Sequence, residues 1–267
     1  MVTLRLPAAA LIVLLIAPQP AAAGWDLSFF VGRAYPTYDD RLVLRVPAVP
    51  PVDGLDIQAS GTPELRADGG PVFGGALAWE VGVLGLEGRL DITDVGLDLR
   101  GATYNLRATA PPLTGVIGTI TVGDEQFDAD LLRLLSLNVR LRTPGPVSLI
   151  ASGGLSYLPG FDITGSAPLE FALGGVPALP GFNPQVRIRV APGESANRAG
   201  VNAGAGLRFG GRVAVFAEAR VFYFKEYELS LTLQDTPPIV NDLLSEFDPI
   251  RFRPVIVNAI GGLSFRF

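Results

Sequence analysis

The chain has 267 residues, a formal net charge of −5, 48% hydrophobic and only 18% charged residues, and neither cysteine nor histidine. Disulfide scaffolds, thiolate metal sites, thiol nucleophiles and histidine-based catalysis are thereby excluded. Past the N-terminus, no apolar run approaches the ~20 residues that a membrane-spanning helix needs.

The first element is residues 1–23. Arg5 precedes an apolar run from Ala8 to Ala17, Pro18 and Pro20 break it, and Ala21, Ala22 and Ala23 offer small residues for cleavage. This pattern reads as a secretory signal peptide, leaving a domain of residues 24–267. An apolar run of about ten residues is too short for a membrane anchor. Losing Arg5 from the 21 basic residues leaves the 26 acidic ones in excess, and Lys225 is the single lysine. That balance argues against nucleic acid as a partner.

Eight segments follow in which apolar and polar residues alternate with period two, the mark of a strand whose faces meet different surroundings. They are 25–33, 73–83, 84–92, 135–142, 147–157, 199–209, a long one from 212 to about 233, and 254–267. Most match the ~9–11 residues of a tilted transmembrane strand. One face of each is apolar and is read as free of charge. The other collects Asp26, Glu80, Glu87, Arg89, Asp91, Arg140, Arg142, Arg208, Glu218, Arg220 and Arg266.

Alternation does not say which face points outward. The connections do: segments 73–83 and 84–92 join with almost no linker, 143–146 and 210–211 are tight turns, and these short connections alternate strictly with four long, proline-bearing ones. This asymmetry predicts an all-β, transmembrane antiparallel up-and-down β-barrel of eight strands, with short periplasmic turns and four long external loops. Trp25 and Phe209 then fall near the periplasmic rim, with Phe265 and Phe267. Phe73, Tyr157 and Tyr223 fall near the outer rim, giving the two girdles expected at membrane interfaces.

The last strand closes the chain on Leu263, Phe265 and Phe267, alternating apolar positions that end on an aromatic residue. This resembles the C-terminal signal that the barrel assembly machinery reads in bacterial outer-membrane proteins. With the signal peptide, the opening Trp25 and the eight-strand layout, residues 24–267 resemble a small barrel of the OmpA-like outer-membrane superfamily. The expected likeness is to a barrel without the peptidoglycan-binding domain that full-length OmpA-like proteins append. The resemblance implies an outer-membrane location, contact with membrane lipid and lipopolysaccharide, and no cofactor. Barrel enzymes of that membrane resemble one another in using histidine with serine or aspartate. Its absence here points away from an enzyme. Pairing with arginine explains Glu80 and Glu87 more simply than a carboxylate-pair mechanism does.

An eight-stranded barrel is just wide enough for side chains to fill it. The inward set holds six arginines and five carboxylates, so near-complete pairing is open to it. Glu80, Glu87, Arg89, Glu218 and Arg220 are expected mid-strand. The favoured reading is a structural or surface-interaction barrel with a closed, ion-paired lumen. A small porin or hydrophobic-solute channel, and a soluble exported lipid-binding barrel, remain as alternatives. Ser152, Gly154, Ser156, Gly204 and Gly206 are expected to complement the large Phe216 and Phe222.

The long connections carry further expectations. Strand-like stretches at 96–106 and 119–122 suggest a projecting hairpin, and the long segment to about 233 suggests an extended rim. Residues 128–135 and 239–247 read as short helices, and the apolar stretch 165–182 as loops packing over the mouth. Asp124, Glu125, Asp128 and Asp130 read as a solvated acidic turn rather than a cation site.

Overall fold

The computed structural model describes residues 23–36, 55–59, 64–101, 103–108, 115–127, 131–160, 165–173, 185–190, 197–234 and 250–267. Residues 1–22, read as most of a signal peptide, lie outside the described residues, as does the expected helix at 239–247. All described regular structure is β. In chain order the strands are β1 (Ala23–Pro36), β2 (Leu55–Ala59), β3 (Glu64–Val81), β4 (Leu84–Arg100), β5 (Thr103–Ala108), β6 (Gly115–Val122), β7 (Glu125–Phe127), β8 (Leu132–Arg142), β9 (Val147–Leu158), β10 (Gly165–Leu173), β11 (Gln185–Val190), β12 (Arg198–Gly210), β13 (Val213–Phe224), β14 (Tyr227–Gln234), β15 (Ile250–Phe252) and β16 (Val255–Arg266).

Eight of them close on themselves in the order β1–β3–β4–β8–β9–β12–β13–β16, with β16 returning to β1. Every pair is antiparallel. The all-β, eight-stranded, up-and-down barrel expected from the alternation is therefore the fold. Each barrel strand pairs with its neighbours in the barrel's own chain order, so no connection has to cross another.

The two ends of the barrel differ. At one, the turn end, the β3–β4 turn is Gly82 and Val83, and the β8–β9 turn runs through Pro144, Gly145 and Pro146. Gly82 has φ 64 and Gly145 φ 110, a region that costs glycine little and other residues strain. Leu149 N–H donates to the Thr143 hydroxyl oxygen (2.8 Å) and fixes the β8–β9 turn. The seam also closes here: Trp25 N–H donates to Phe267 O (3.2 Å), and Phe267 N–H donates to Trp25 O (2.9 Å).

All four long connections leave the opposite, loop end, and much of them is sheet. β15, β14, β11, β10, β6, β5 and β2 form a second, seven-stranded sheet in that order. β5 and β6 are the hairpin anticipated within the second long connection. β10 lies within the apolar stretch read as loop. Only Lys225 and Glu226 separate β13 from β14, so the long seventh segment continues beyond the barrel after a break. β3 and β4 also outrun the sequence estimate, pairing up to Glu64 and Arg100, with an irregularity between Gly69 and Val72. The helical reading of 128–135 is corrected: Leu132 to Leu135 open β8, while 128–130 lie outside the described residues.

Polarity across the barrel wall is inverted relative to a water-soluble barrel. Leu77, Leu86, Leu137, Val139, Leu149, Leu155, Val201 and Val215 point outward and are exposed. Aspartate, glutamate, arginine, asparagine and serine point inward and are buried. The expectation that the apolar faces carry no charge is corrected at two positions. Arg33 ends the first segment on the outward face, where its guanidinium donates to Gly69 O (3.0 Å) and lies 5.9 Å from the Tyr35 ring. Lys225 interrupts the seventh segment beyond the end of β13. Both lie toward the loop end.

Inward glycines let neighbouring strands approach closely. A Cβ on Gly154 would lie 2.0 Å from Leu137 O of β8. Gly154→Ala is accordingly expected to lower stability by about 1–3 kcal/mol through overpacking, measurable by urea unfolding of the refolded chain. The expected complements of the small residues are corrected too. A Cβ on Gly204 would meet Glu218 Oε1 and Arg220 Nε, not the phenylalanines, whereas Phe216 lies over Gly262 and Phe224 over Gly200.

Candidate functional site

The lumen holds the chemistry-bearing residues, in layers set by the pleat and stagger of the strands. At mid-height, β4 presents Glu87, Arg89 and Asp91, and β13 presents Glu218 and Arg220. These two strands stand opposite one another, four positions apart in the closed order. Their side chains meet across the full width of the lumen. Arg89 Nη1 lies 3.1 Å from Glu218 Oε1, and Arg220 Nη2 lies 3.1 Å from Glu87 Oε1. Each arginine also pairs along its own strand, Arg89 Nε with Asp91 Oδ2 (2.7 Å) and Arg220 Nε with Glu218 Oε1 (2.8 Å).

Neutral polar residues extend this layer. Asn138 donates to Glu87 (3.0 Å), Asn202 donates to Asn138 and Ser156 (both 2.8 Å), and Asn258 donates to Asp91 (3.1 Å). Arg220 also donates to Ser152 (2.6 Å) and Asn202. The Phe30 ring packs 4.1 Å from the Arg89 guanidinium carbon. Arg220 is 1% exposed, so its charge is compensated wholly by these partners.

Toward the turn end lies a second group: Arg140, Arg142, Arg208 and Arg266 around Asp26 and Glu80. Its distances are longer. Arg142 Nη1 is 3.1 Å from Glu80 and 3.6 Å from Asp26. Arg140 is 3.6–4.0 Å from Glu87, Glu80 and Asp26. Arg208 is 3.7 Å from Asp26, and Arg266 is 3.8 Å from Glu80. Arg208 is held firmly by Ser264 Oγ and Gly211 O, both at 2.8 Å. In contrast, Asp26 Oδ2, both Glu80 oxygens, Arg140 Nε and Arg142 Nη1 are buried with no hydrogen-bond partner. Glu80 thus belongs to this group and sits one residue from the end of β3, not mid-strand.

Toward the loop end the interior is mostly apolar, with Thr93 and Arg198 also buried and Arg198 donating to Glu226 O (3.1 Å). Ala34, Val72, Leu132, Leu134, Leu158, Phe222, Phe224 and Ile256 are buried there. The Phe222 and Phe224 rings stack with centroids 6.4 Å apart.

On the exterior, Trp25 and Phe209 lie at the turn end, while Phe73, Tyr157 and Tyr223 lie toward the loop end; all five are exposed. Trp79, opposite Trp25 in register, is equally exposed and was missed by sequence reasoning. Arg253 donates to the Tyr223 hydroxyl (2.8 Å) near the loop end. Leu263 and Phe267 are exposed and Phe265 half-buried on β16. A shallow trench of about 760 Å³ crosses the outer wall between two register rows, with Leu77, Gly88 and Leu137 on one side and Gly75, Leu90 and Leu135 on the other. The asparagines and serines of the lumen were also missed as site residues. Their inward parity was readable, but a neutral amide carries no signal of partnership on its own.

Among the described residues, no group of aspartate and glutamate is arranged to hold a metal ion. No protein-family model matches the chain, and no curated protein matches it in sequence.

Proposed function

We propose that the chain is an integral outer-membrane β-barrel protein of the OmpA-like type, with a structural or surface-interaction role and a closed, ion-paired lumen. The observation that carries this reading is the inverted polarity of the wall. Apolar side chains cover the outside of all eight strands, and charges fill the inside. A contiguous apolar surface far larger than the few hundred Å² tolerated by soluble monomers needs a non-aqueous surrounding. A soluble lipid-binding barrel would place that face inward.

The segregation of short turns at one end and long connections at the other supports an orientation with the turns periplasmic and the β2–β15 sheet outside. The exposed aromatic residues at both ends support contact with lipid headgroups, and the outer ring supports contact with lipopolysaccharide. The signal-peptide pattern of residues 1–23 and the Leu263–Phe265–Phe267 ending support export and delivery to the barrel assembly machinery. The role is non-enzymatic on this reading. The lumen side chains of opposite strands bridge one another, which favours a closed barrel over a small porin.

The membrane reading is tested by fractionation with heat-modifiable gel mobility. The chain should stay with membranes until detergent is added and shift in mobility on boiling. Release into aqueous buffer without detergent would sink the membrane reading. Planar-bilayer recordings should show no large, stable conductance, and a steady open level would make the protein a porin.

A further inference from the structure

We propose that the turn end of the lumen is a binding site for a small free oxyanion, such as inorganic phosphate or sulfate. Charge comes first. Arg140, Arg142, Arg208 and Arg266 gather around Asp26 and Glu80 there, with one further oxygen, Glu87 Oε2, 3.6 Å from Arg140 while Glu87 Oε1 pairs with Arg220. The mid-height group runs the other way, with Glu87, Asp91 and Glu218 against Arg89 and Arg220. Of these two groups, the one at the turn end thus carries the surplus of positive charge.

Unused donors come second. Arg140 Nε and Arg142 Nη1 are buried without a hydrogen-bond partner, as are Asp26 Oδ2 and both Glu80 oxygens; Arg142 Nη1 meets Glu80 Oε2 only as an ion pair at 3.1 Å. Most ion-pair distances in this group run from 3.6 to 4.0 Å, beyond hydrogen-bond length. In a low-dielectric tube such donors are costly to leave unused, and a tetrahedral oxyanion accepts from several guanidinium groups at once. The two carboxylates oppose an anion, but four guanidinium groups outweigh them.

Access comes third. The Arg266 side chain is 30% exposed and lies at the turn-end mouth, whereas the loop end is closed by the buried Phe222 and Phe224. On this proposal the ion enters from the turn side. Its place inside the barrel excludes the headgroup of a bilayer lipid and selects a free ion. The inference concerns the lumen alone and holds whether or not the outer wall meets a membrane.

Calorimetric titration of the refolded full chain in zwitterionic detergent micelles, at constant ionic strength, tests it. Inorganic phosphate should bind saturably at one site with a dissociation constant of about 1 mM or tighter, and chloride at least tenfold more weakly. Arg142→Gln should weaken phosphate at least tenfold. Glu80→Gln removes a competing negative charge and should tighten it. The two variants move in opposite directions, so a general loss of structure does not mimic the result. Absence of saturable phosphate binding to the unaltered chain overturns the proposal. Equal responses to phosphate and chloride also overturn it, as does a Glu80→Gln variant that folds and binds more weakly.

Discussion

Replacing Arg220 by methionine is expected to destabilise the barrel by about 3–5 kcal/mol, the range for breaking a buried ion pair from one side. Arg220 touches two carboxylates, Glu87 and Glu218, and is almost wholly buried. Without it, Glu87, Asp91 and Glu218 keep only Arg89 at mid-height and the more distant Arg140, 3.6 Å from Glu87. The double variant Arg220→Met with Glu218→Met should be markedly less damaging than the sum of its parts. It leaves Arg89 with Asp91, and Glu87 with Asn138 and Arg140. Coupling of about 0.5–3 kcal/mol is the expected size for residues in one network. Urea unfolding followed by the fluorescence of the two tryptophans, Trp25 and Trp79, measures both variants. A single variant as stable as the parent would mean that the mid-height network contributes nothing to the fold.

Leu137→Arg probes the outer wall with comparable force. Leu137 lies near the middle of β8, points outward and is 56% exposed. In a bilayer, an arginine at mid-depth on the lipid face costs about 2–4 kcal/mol, falling to about 0–1 kcal/mol near the interface. Tyr223→Arg, near the loop end, should therefore cost far less than Leu137→Arg when the chain is refolded into lipid vesicles. In a water-soluble barrel both positions are surface sites, and each change would stay within about 0.5 kcal/mol. The difference between the two variants therefore reads the surroundings of the wall directly.

The barrel was legible because its signal is periodic. From Leu135 to Arg142 β8 alternates apolar outward and polar inward at every residue, whereas Leu132, Arg133 and Leu134 reverse that polarity and were not read as strand. β3 shows where the signal stops. Its alternation is interrupted at Asp68, Gly69, Gly70 and Pro71, at the irregularity in pairing with β4, and the sequence estimate begins only at Phe73. β10 was hidden by Pro168 and by glycine-rich surroundings that score as loop. The inward parity of the eleven charged residues could be read, but not how they divide into two groups. Alternation says that Glu80 and Glu87 share a face; it does not say how far one strand slides past the next. That stagger places Glu87 opposite Arg220 and leaves Glu80 with Arg142. Arg33 is a lapse of another kind, a charge on the outer face that the first segment already contained.

The closing seam bears on how the chain reaches its native state. Asp26 pairs with Arg266, residues from opposite ends of the described chain, whereas the β3–β4, β8–β9 and β12–β13 hairpins join through only a few residues. Hairpins of that kind assemble locally and fast, but the seam needs an encounter between distant strands and forms slowly. Until it forms, β1 and β16 each present a bare edge, a template for pairing with other chains. The chain is therefore most prone to aggregation just before closure, and the reciprocal Trp25–Phe267 hydrogen bonds mark the register at which that hazard ends.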